Sequence, residues 1–278
     1  MHSISAVLIA RNEESNIRHC LQTIAWCDEI VVVDMESEDK TVSIAREYTD
    51  KIYSHPNIPA FDIAKKFAVE KSVGDWILLV DADEMISRSL ASVLSQIAAR
   101  DDVDVVEIPF KHYIMGEWVR NTGWGYSPKP RFFRKQNMEL TGIIHNYMNV
   151  RSGSVVIQLP PSDDNCINHF CYIDSRHFVE KLNKYTSVEA RQLFDQKKRY
   201  STFALIRRSI REFVVRFLVR KGYKEGVRGF ALSLMMSFYR ALTYIKLWEQ
   251  YEFAGESVQS KYSKIKENIM KDWENGMP

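Results

Sequence analysis

Residues Trp76–Val80 are five consecutive apolar side chains, and they run straight into Asp81-Ala82-Asp83 and Glu84. A strand with one wet face alternates apolar with polar, so an unbroken run reads as a central strand covered on both faces. Covering both faces takes crossover helices, which commits this part of the chain to an α/β architecture. The loop after such a strand lies at the carboxyl edge, where open α/β sheets bind ligands. There Asp81 and Asp83 can share a hard divalent cation, which takes oxygen ligands and keeps positions free for a diphosphate. Taken alone, Asp-x-Asp is equally a solvated acidic turn ahead of the helix that begins near Ser87.

The flanking segments supply the context. Ile4–Ala10 reads as a strand, and Ser15 to about Trp26 as an amphipathic helix with Ile17, Leu21 and Ile24 on one face. Glu29–Asp34 is a second strand, and Asp39 to about Tyr48 a helix capped by Asp39. Lys51–Ser54 is a short strand, Phe61–Ser72 a helix, and Asp75–Asp81 the central strand. Strands alternating with helices give a parallel, doubly wound, Rossmann-like sheet. Its first turn, Arg11-Asn12-Glu13-Glu14, lacks the glycine-rich phosphate loop. A bound diphosphate then needs another counter-charge, which a metal at Asp81 and Asp83 supplies. Arg11–Glu13, Asp34 and Asp81–Asp83 are expected to line one crevice.

These residues carry a family resemblance. Val7–Glu14, Val31–Asp34 with Ser37-x-Asp39-x-Thr41, and Gly74–Glu84 resemble the family 2 glycosyltransferases of the GT-A fold. Within that family the chain is similar to bacterial lipopolysaccharide core β-glucosyltransferases and related surface-glycan enzymes. The resemblance implies an inverting enzyme with a nucleotide-sugar donor, usually a UDP-sugar, and a Mg2+ or Mn2+ ion. By position it implies that Ala10, Arg11 and Glu13 contact the nucleoside and that Asp34 bonds the base or ribose. Lys65 then lies near the nucleotide pocket, and Ala82, between Asp81 and Asp83, belongs to the same donor site. Asp81 bonds the ribose or reaches the metal through water, and Asp83 ligates the metal. Met35, Glu38 and Lys66 depart from the family pattern, where Ser, a small residue and Asn are usual; none of these changes removes a carboxylate.

After an amphipathic helix to about Ala99 and a strand Val103–Phe110, Gly116–Trp124 breaks the alternation. Trp118, Arg120 and Trp124 there suit stacking on a sugar face and pairing with an anion, so residues of about 110–174 are read as the acceptor region. Core packing is the alternative for Trp118, while Trp124, between two glycines, is expected to be exposed. Pro130–Lys135 followed by Thr141–His145 resembles the family's Arg-x-Phe-Arg and Gly-x-x-His block, which places Arg131 on the leaving diphosphate and His145 on the metal, diphosphate or acceptor. Inversion needs a base for the acceptor hydroxyl. The carboxylate usual after this histidine is Asn146 here, and an upstream aspartate is replaced near Ser127. Glu84, Glu117 and His145 remain, with Glu84 preferred. His169, in Asn168–Phe170, either closes over the donor or satisfies a core hydrogen bond.

The net charge of +2 hides an asymmetry. Residues 176–228 hold 15 Lys and Arg against 5 Asp and Glu, and residues 229–278 balance, so residues 1–175 carry −8. An acidic domain, 1–174, is therefore expected ahead of a basic, amphipathic helical region, 175–278. Phe203, Ile206, Ile210, Phe213, Val214 and Phe217 fall on one helical face, largely away from Arg207, Arg208, Arg211 and Arg220. That pattern fits a helix lying on an anionic membrane surface, with residues of about 200–248 involved. Aromatics that follow the apolar stripe, instead of alternating with basic residues, argue against nucleic acid. No secretory leader is legible in Ile4–Ala10, and Gly229–Trp248 is broken by Arg240 and Lys246, so the expected place is the cytoplasmic face of the membrane, peripherally bound. Cys20, Cys27, Cys166 and Cys171 have neither zinc spacing nor disulfide density. The resulting expectation is transfer of a sugar to a lipid-linked or lipopolysaccharide-type glycan. Transfer to a protein side chain or polyprenyl phosphate, or a non-catalytic nucleotide- or glycan-binding subunit, are the alternatives.

Overall fold

The computed structural model describes residues 2–57, 61–141 and 148–275. Two compact units divide at Ser175 and Arg176. In the first, the chain runs β1 (Ile4–Ala10), α1 (Ile17–Ile24), β2 (Glu29–Asp34), α2 (Thr41–Ala45), β3 (Ile52–Ser54), α3 (Phe61–Lys71), β4 (Trp76–Asp81), β5 (Glu84–Ile86) and α4 (Arg88–Ala98). It continues through β6 (Val105–Ile108), β7 (Phe110–Ile114), β8 (Glu117–Trp118), β9 (Lys129–Arg134), β10 (Met138–Leu140), β11 (Met148–Val150), β12 (Val156–Gln158) and β13 (Ile167–Tyr172).

The main sheet has seven strands in the order β12-β6-β9-β4-β1-β2-β3. The block β4-β1-β2-β3 is parallel throughout, as the alternation of elements predicts. Every residue of β1 and β2 is buried, and β4 is buried up to Val80, because one apolar cluster lies on each face of the sheet. β9 inserts antiparallel between β4 and β6. Its phenylalanines serve both faces: Phe132 stacks on Trp76 with centroids 4.5 Å apart, while Phe133 joins the opposite cluster.

The expected strand Val103–Phe110 is two strands. Pro109 separates them, since a residue without an N–H cannot extend the ladder. β6 stays in the main sheet, and β7 enters a second, four-stranded sheet ordered β5-β13-β7-β8. The expected helix from Asp39 is shortened to Thr41–Ala45.

The second unit contains α6 (Thr202–Val214), α7 (Gly226–Glu252) and α8 (Val258–Asn275), after α5 (Ser175–Asp195), which begins at the boundary. α6 packs on α7 through Phe213 and the following Phe217, whose rings meet Phe230 at 5.7 and 5.8 Å. The apolar stripe expected on α6 is therefore divided. Phe213 and Phe217 are spent on α7, whereas Phe203, Ile206, Ile210 and Val214 stay exposed. On α7, Val227, Phe230, Leu234 and Phe238 are exposed at helical spacing. Gly229 has no room for a side chain, because a Cβ there would sit 1.9 Å from the Gly222 carbonyl oxygen. Among the described residues no helix is long and apolar enough to cross a membrane.

Candidate active site

Register alone brings the expected crevice together. Ala10 pairs with Asp34, and Ile9 with Asp81, so the polar ends of β1, β2 and β4 stand side by side at one sheet edge. The two loops after β1 and β2 are then stitched together. Ser37 Oγ, Thr41 Oγ1 and Asp39 Oδ2 accept from the backbone N–H groups of Asn12, Glu13 and Glu14, at 3.0, 2.7 and 3.0 Å. The Ser-x-Asp-x-Thr spacing thus matches three successive amides. Asn12 Oδ1 and Glu14 Oε2 return the contact by accepting from Glu38 and Lys40 N–H. Asn12 sits at φ 55°, in the left-handed region that asparagine tolerates. Asp34 accepts from Ser37 N–H, and Met35, the departure from the family pattern, is fully buried in the core. Ala10 is buried, and Arg11 and Glu13 are half-buried in the first loop.

At the end of β4 lies a buried charge cluster. Lys65 Nζ, from α3, is 3.0 Å from Asp81 Oδ1. Arg131 Nη2, from β9, donates to Asp81 Oδ2 and Glu84 Oε1, each at 2.9 Å. Glu84 Oε2 also accepts from the Asp81 backbone N–H at 2.9 Å. Burial opposes the charge on Asp81, yet Lys65 and then Arg131 hold its carboxyl well below the usual range. Burial pushes Glu84 up, against the pull of Arg131.

Glu84 has no exposed surface. It is closed to an acceptor hydroxyl, which sets its geometry against the expected role of base and in favour of holding Arg131 and the Asp81 loop. Both oxygens of Asp81 face cations, so direct metal ligation by Asp81 is also disfavoured. Ala82 is buried between the two carboxylates.

Asp83 faces His169 instead, with Oδ1 3.4 Å from Nε2. The second sheet makes this contact: β13 pairs with β5 in the register His169 to Glu84, and Phe170 N–H donates to the Asp83 carbonyl at 2.9 Å. Burial opposes protonation of His169, but the hydrogen bond with Asp83 holds its pKa well above the ordinary value. A carboxylate oxygen and an imidazole nitrogen this close can both bind one Mg2+ or Mn2+ ion, and the imidazole suits Mn2+. His145 and Asn146 lie outside the described residues.

The expected sugar platform is altered. The Trp118 ring is overlain by the Lys111 ammonium at 4.4 Å and the Arg120 guanidinium at 4.2 Å from its centroid, so cations take the place expected for a sugar. Trp124, expected to be exposed, is half-buried edge-on to His112 and Tyr172, with centroids 5.7 Å away in both cases. Arg120 is exposed. Arg134 lies at the far end of β9 and donates to the carbonyls of Val103 and Arg100, outside the cluster.

His112 escaped sequence reasoning. Burial and then the neighbouring His169 push its pKa down to about 3, so it is neutral near pH 7. Its signal would have been the strand restarting after Pro109, which puts Phe110 and His112 on one face.

The model of the family described as glycosyl transferase family 2 matches residues 5–155. An uncharacterized glycosyltransferase of Rickettsia felis is 30% identical over 265 residues, covering 90% of each chain. A lipopolysaccharide core biosynthesis glycosyltransferase, LpsC of Rhizobium meliloti, is 26% identical over 270 residues, covering 89% of this chain and 93% of its own. Among solved structures, glucosyl-3-phosphoglycerate synthase from Mycobacterium tuberculosis, in complex with Mg2+ and UDP, is 15% identical with a TM-score of 0.44, covering 69% of this chain and 78% of its own.

Proposed function

The chain belongs to glycosyl transferase family 2 and is an inverting glycosyltransferase, and from that premise we propose that it moves a sugar from a UDP-sugar to a lipid-linked or lipopolysaccharide-type glycan. The observation that carries the donor half is the Asp83 carboxylate beside His169 Nε2, at the end of the central strand and next to the loops after β1 and β2. In this reading Asp83 and His169 hold a Mg2+ or Mn2+ ion. When bound, that ion supplies positive charge to the diphosphate as it leaves.

The chain's own residues do the rest. Arg11, Glu13 and Asp34 line the nucleoside side, with Ala10 at the floor of the crevice. Asp81, fixed by Lys65 and Arg131, offers a carboxylate whose position is set before donor binds. Pre-set donors and acceptors need no rearrangement during transfer, which is where such sites gain rate. The acceptor hydroxyl attacks the anomeric carbon from the face opposite the breaking C–O bond, and its proton passes to a base. With Glu84 in a positioning role, Glu117, exposed on β8, and His145 remain for that step.

Support for the acceptor class comes from the core-biosynthesis relative and from the second unit, the helical region from about residue 175. Exposed Phe203, Ile206 and Ile210 share α6 with exposed Arg207, Arg208 and Arg211. A helix of that composition binds an anionic leaflet through partial apolar burial plus about 1 kcal/mol per basic residue. Changing Arg207, Arg208 and Arg211 together to glutamine is expected to lower affinity for liposomes rich in anionic lipid by about 100-fold, with donor affinity unchanged. Co-sedimentation reads this directly, and retained binding would make α6 a packing element.

The donor is tested by thermal unfolding against UDP-, GDP-, CMP- and TDP-sugars with and without Mn2+. A ligand at about 100 times its dissociation constant adds about 2.7 kcal/mol. Manganese-dependent stabilisation by UDP-sugars is the expected result. Silence across the whole panel would favour a non-catalytic binding subunit.

A further inference from the structure

β7 and β13 are parallel neighbours in the second sheet, with His112 and His169 directly in register. One residue further, the register slips between Phe170 and Tyr172, leaving Cys171 as the extra residue of a bulge. Bulges re-aim side chains. Here the result is that one ring nitrogen from each histidine and Cys171 Sγ all lie within 4.8 Å of one another. His112 Nδ1 is 3.2 Å from Sγ. A tetrahedral zinc ion, with bonds of about 2.0–2.3 Å, sets its ligand atoms about 3.3–3.6 Å apart, so the cluster closes on an ion by small side-chain adjustments.

Both imidazoles are already oriented from their far side. His112 Nε2 is 3.1 Å from Ser127 Oγ, and His169 Nε2 is 3.4 Å from Asp83 Oδ1. A hydroxyl or carboxylate on the remote nitrogen is the arrangement that fixes metal-binding histidines. His169 Nδ1, the nitrogen left over, is buried, and Cys171 is one of the groups acting on this imidazole.

We propose that His112, His169 and Cys171 form a binding site for a thiophilic divalent cation, Zn2+ first among them, with a fourth position left for water. A thiolate with two imidazoles selects Zn2+ over Mg2+ and Mn2+, which prefer oxygen. The site therefore differs in chemistry from the Mg2+ or Mn2+ ion proposed at Asp83, and the two compete for His169, because a neutral imidazole has one nitrogen lone pair to give. Binding releases to solvent the Cys171 thiol proton and the proton carried by the His169 nitrogen that takes the ion.

The site goes beyond glycosyl transfer, and metal binding is read without any sugar substrate, so either can fail alone. The full chain is titrated with Co2+, a coloured stand-in for Zn2+. The expected result is thiolate-to-cobalt charge-transfer absorption that saturates at one equivalent and is displaced by Zn2+. Cys171→Ser should abolish that absorption and weaken Zn2+ binding by more than about 100-fold, above the loss typical of an outer-shell partner. His112→Gln should weaken Zn2+ binding while keeping the absorption, and Cys20→Ser should change neither. Absence of charge transfer in the unmodified chain, or its survival in Cys171→Ser, overturns the proposal. Should Cys171→Ser fail to fold, Zn2+ protection of Cys171 from alkylation, read by mass spectrometry, decides: an unprotected thiol overturns it equally.

Discussion

Replacing Arg131 with alanine is expected to destabilise the first unit by about 3–5 kcal/mol, the cost of leaving a buried charge without its partner. Arg131 is 3% exposed and its guanidinium bonds Asp81 and Glu84 at once, and Glu84 has no exposed surface. Burial already pushes the Glu84 carboxyl up, and Arg131 is what pulls against it. Without Arg131 the folded-state pKa of Glu84 rises further, so the variant gains stability as pH falls and Glu84 takes up a proton. Asp81, held low partly by Arg131, loses part of the stabilisation it gives above its unfolded-state pKa. Both deficits grow as pH rises, but the Asp81 part is already complete at about pH 5, above its unfolded-state pKa, so Glu84 is what should make the deficit larger at about pH 7.5 than at about pH 5 in denaturant unfolding. An equal deficit at both would mean that lost packing against Phe110, 5.1 Å from the guanidinium, outweighs the charge. Adding Glu84→Gln should restore part of the stability at the higher pH by removing the stranded charge.

That cluster marks the division between what the sequence makes legible and what it hides. β1 and β2 coincide with the runs Ile4–Ala10 and Glu29–Asp34, because a parallel strand covered on both faces is predominantly apolar, with Ser5 the buried exception, donating to Glu29. Their carboxyl ends fall together once the register is set, so the crevice of Arg11, Asp34 and Asp81 follows from pattern alone. Arg131 is different. It reaches Asp81 across 50 residues because β9 enters the sheet antiparallel, and no local pattern announces which strand will be its neighbour.

Glu84 was legible as an acid next to the Asp-x-Asp motif, yet its role turns on whether water reaches it, which only packing decides. The same holds for Trp118, whose ring is covered by Lys111 from the adjacent β7. His112 and Cys171 were hidden by a proline that moves the chain from one sheet to another and by a one-residue slip in register. The proline is legible but the change of sheet it brings is not, and a one-residue slip leaves no mark on hydrophobic periodicity.

Asp83→Ala is expected to lower sugar transfer by at least about 10³-fold, since it takes away the carboxylate proposed to hold the ion that neutralises the leaving diphosphate. Stability should respond far less. Asp83 is half-buried at a loop, its carbonyl still accepts from Phe170 N–H, and the Asp81–Arg131–Glu84 cluster does not depend on its side chain. The variant separates Asp83 from Asp81 in a way that Asp81→Ala cannot, because removing Asp81 strands Lys65 and Arg131 and confounds activity with folding. Three measurements on the same preparation are needed: transfer rate, Mn2+-dependent stabilisation by the donor, and unfolding midpoint without ligand. Loss of the first two with the third nearly unchanged would assign metal binding to Asp83. Full activity would remove Asp83 from the site. Loss of activity with donor stabilisation intact would point to the His169 contact, which could then be tested by His169→Gln against the same three readouts.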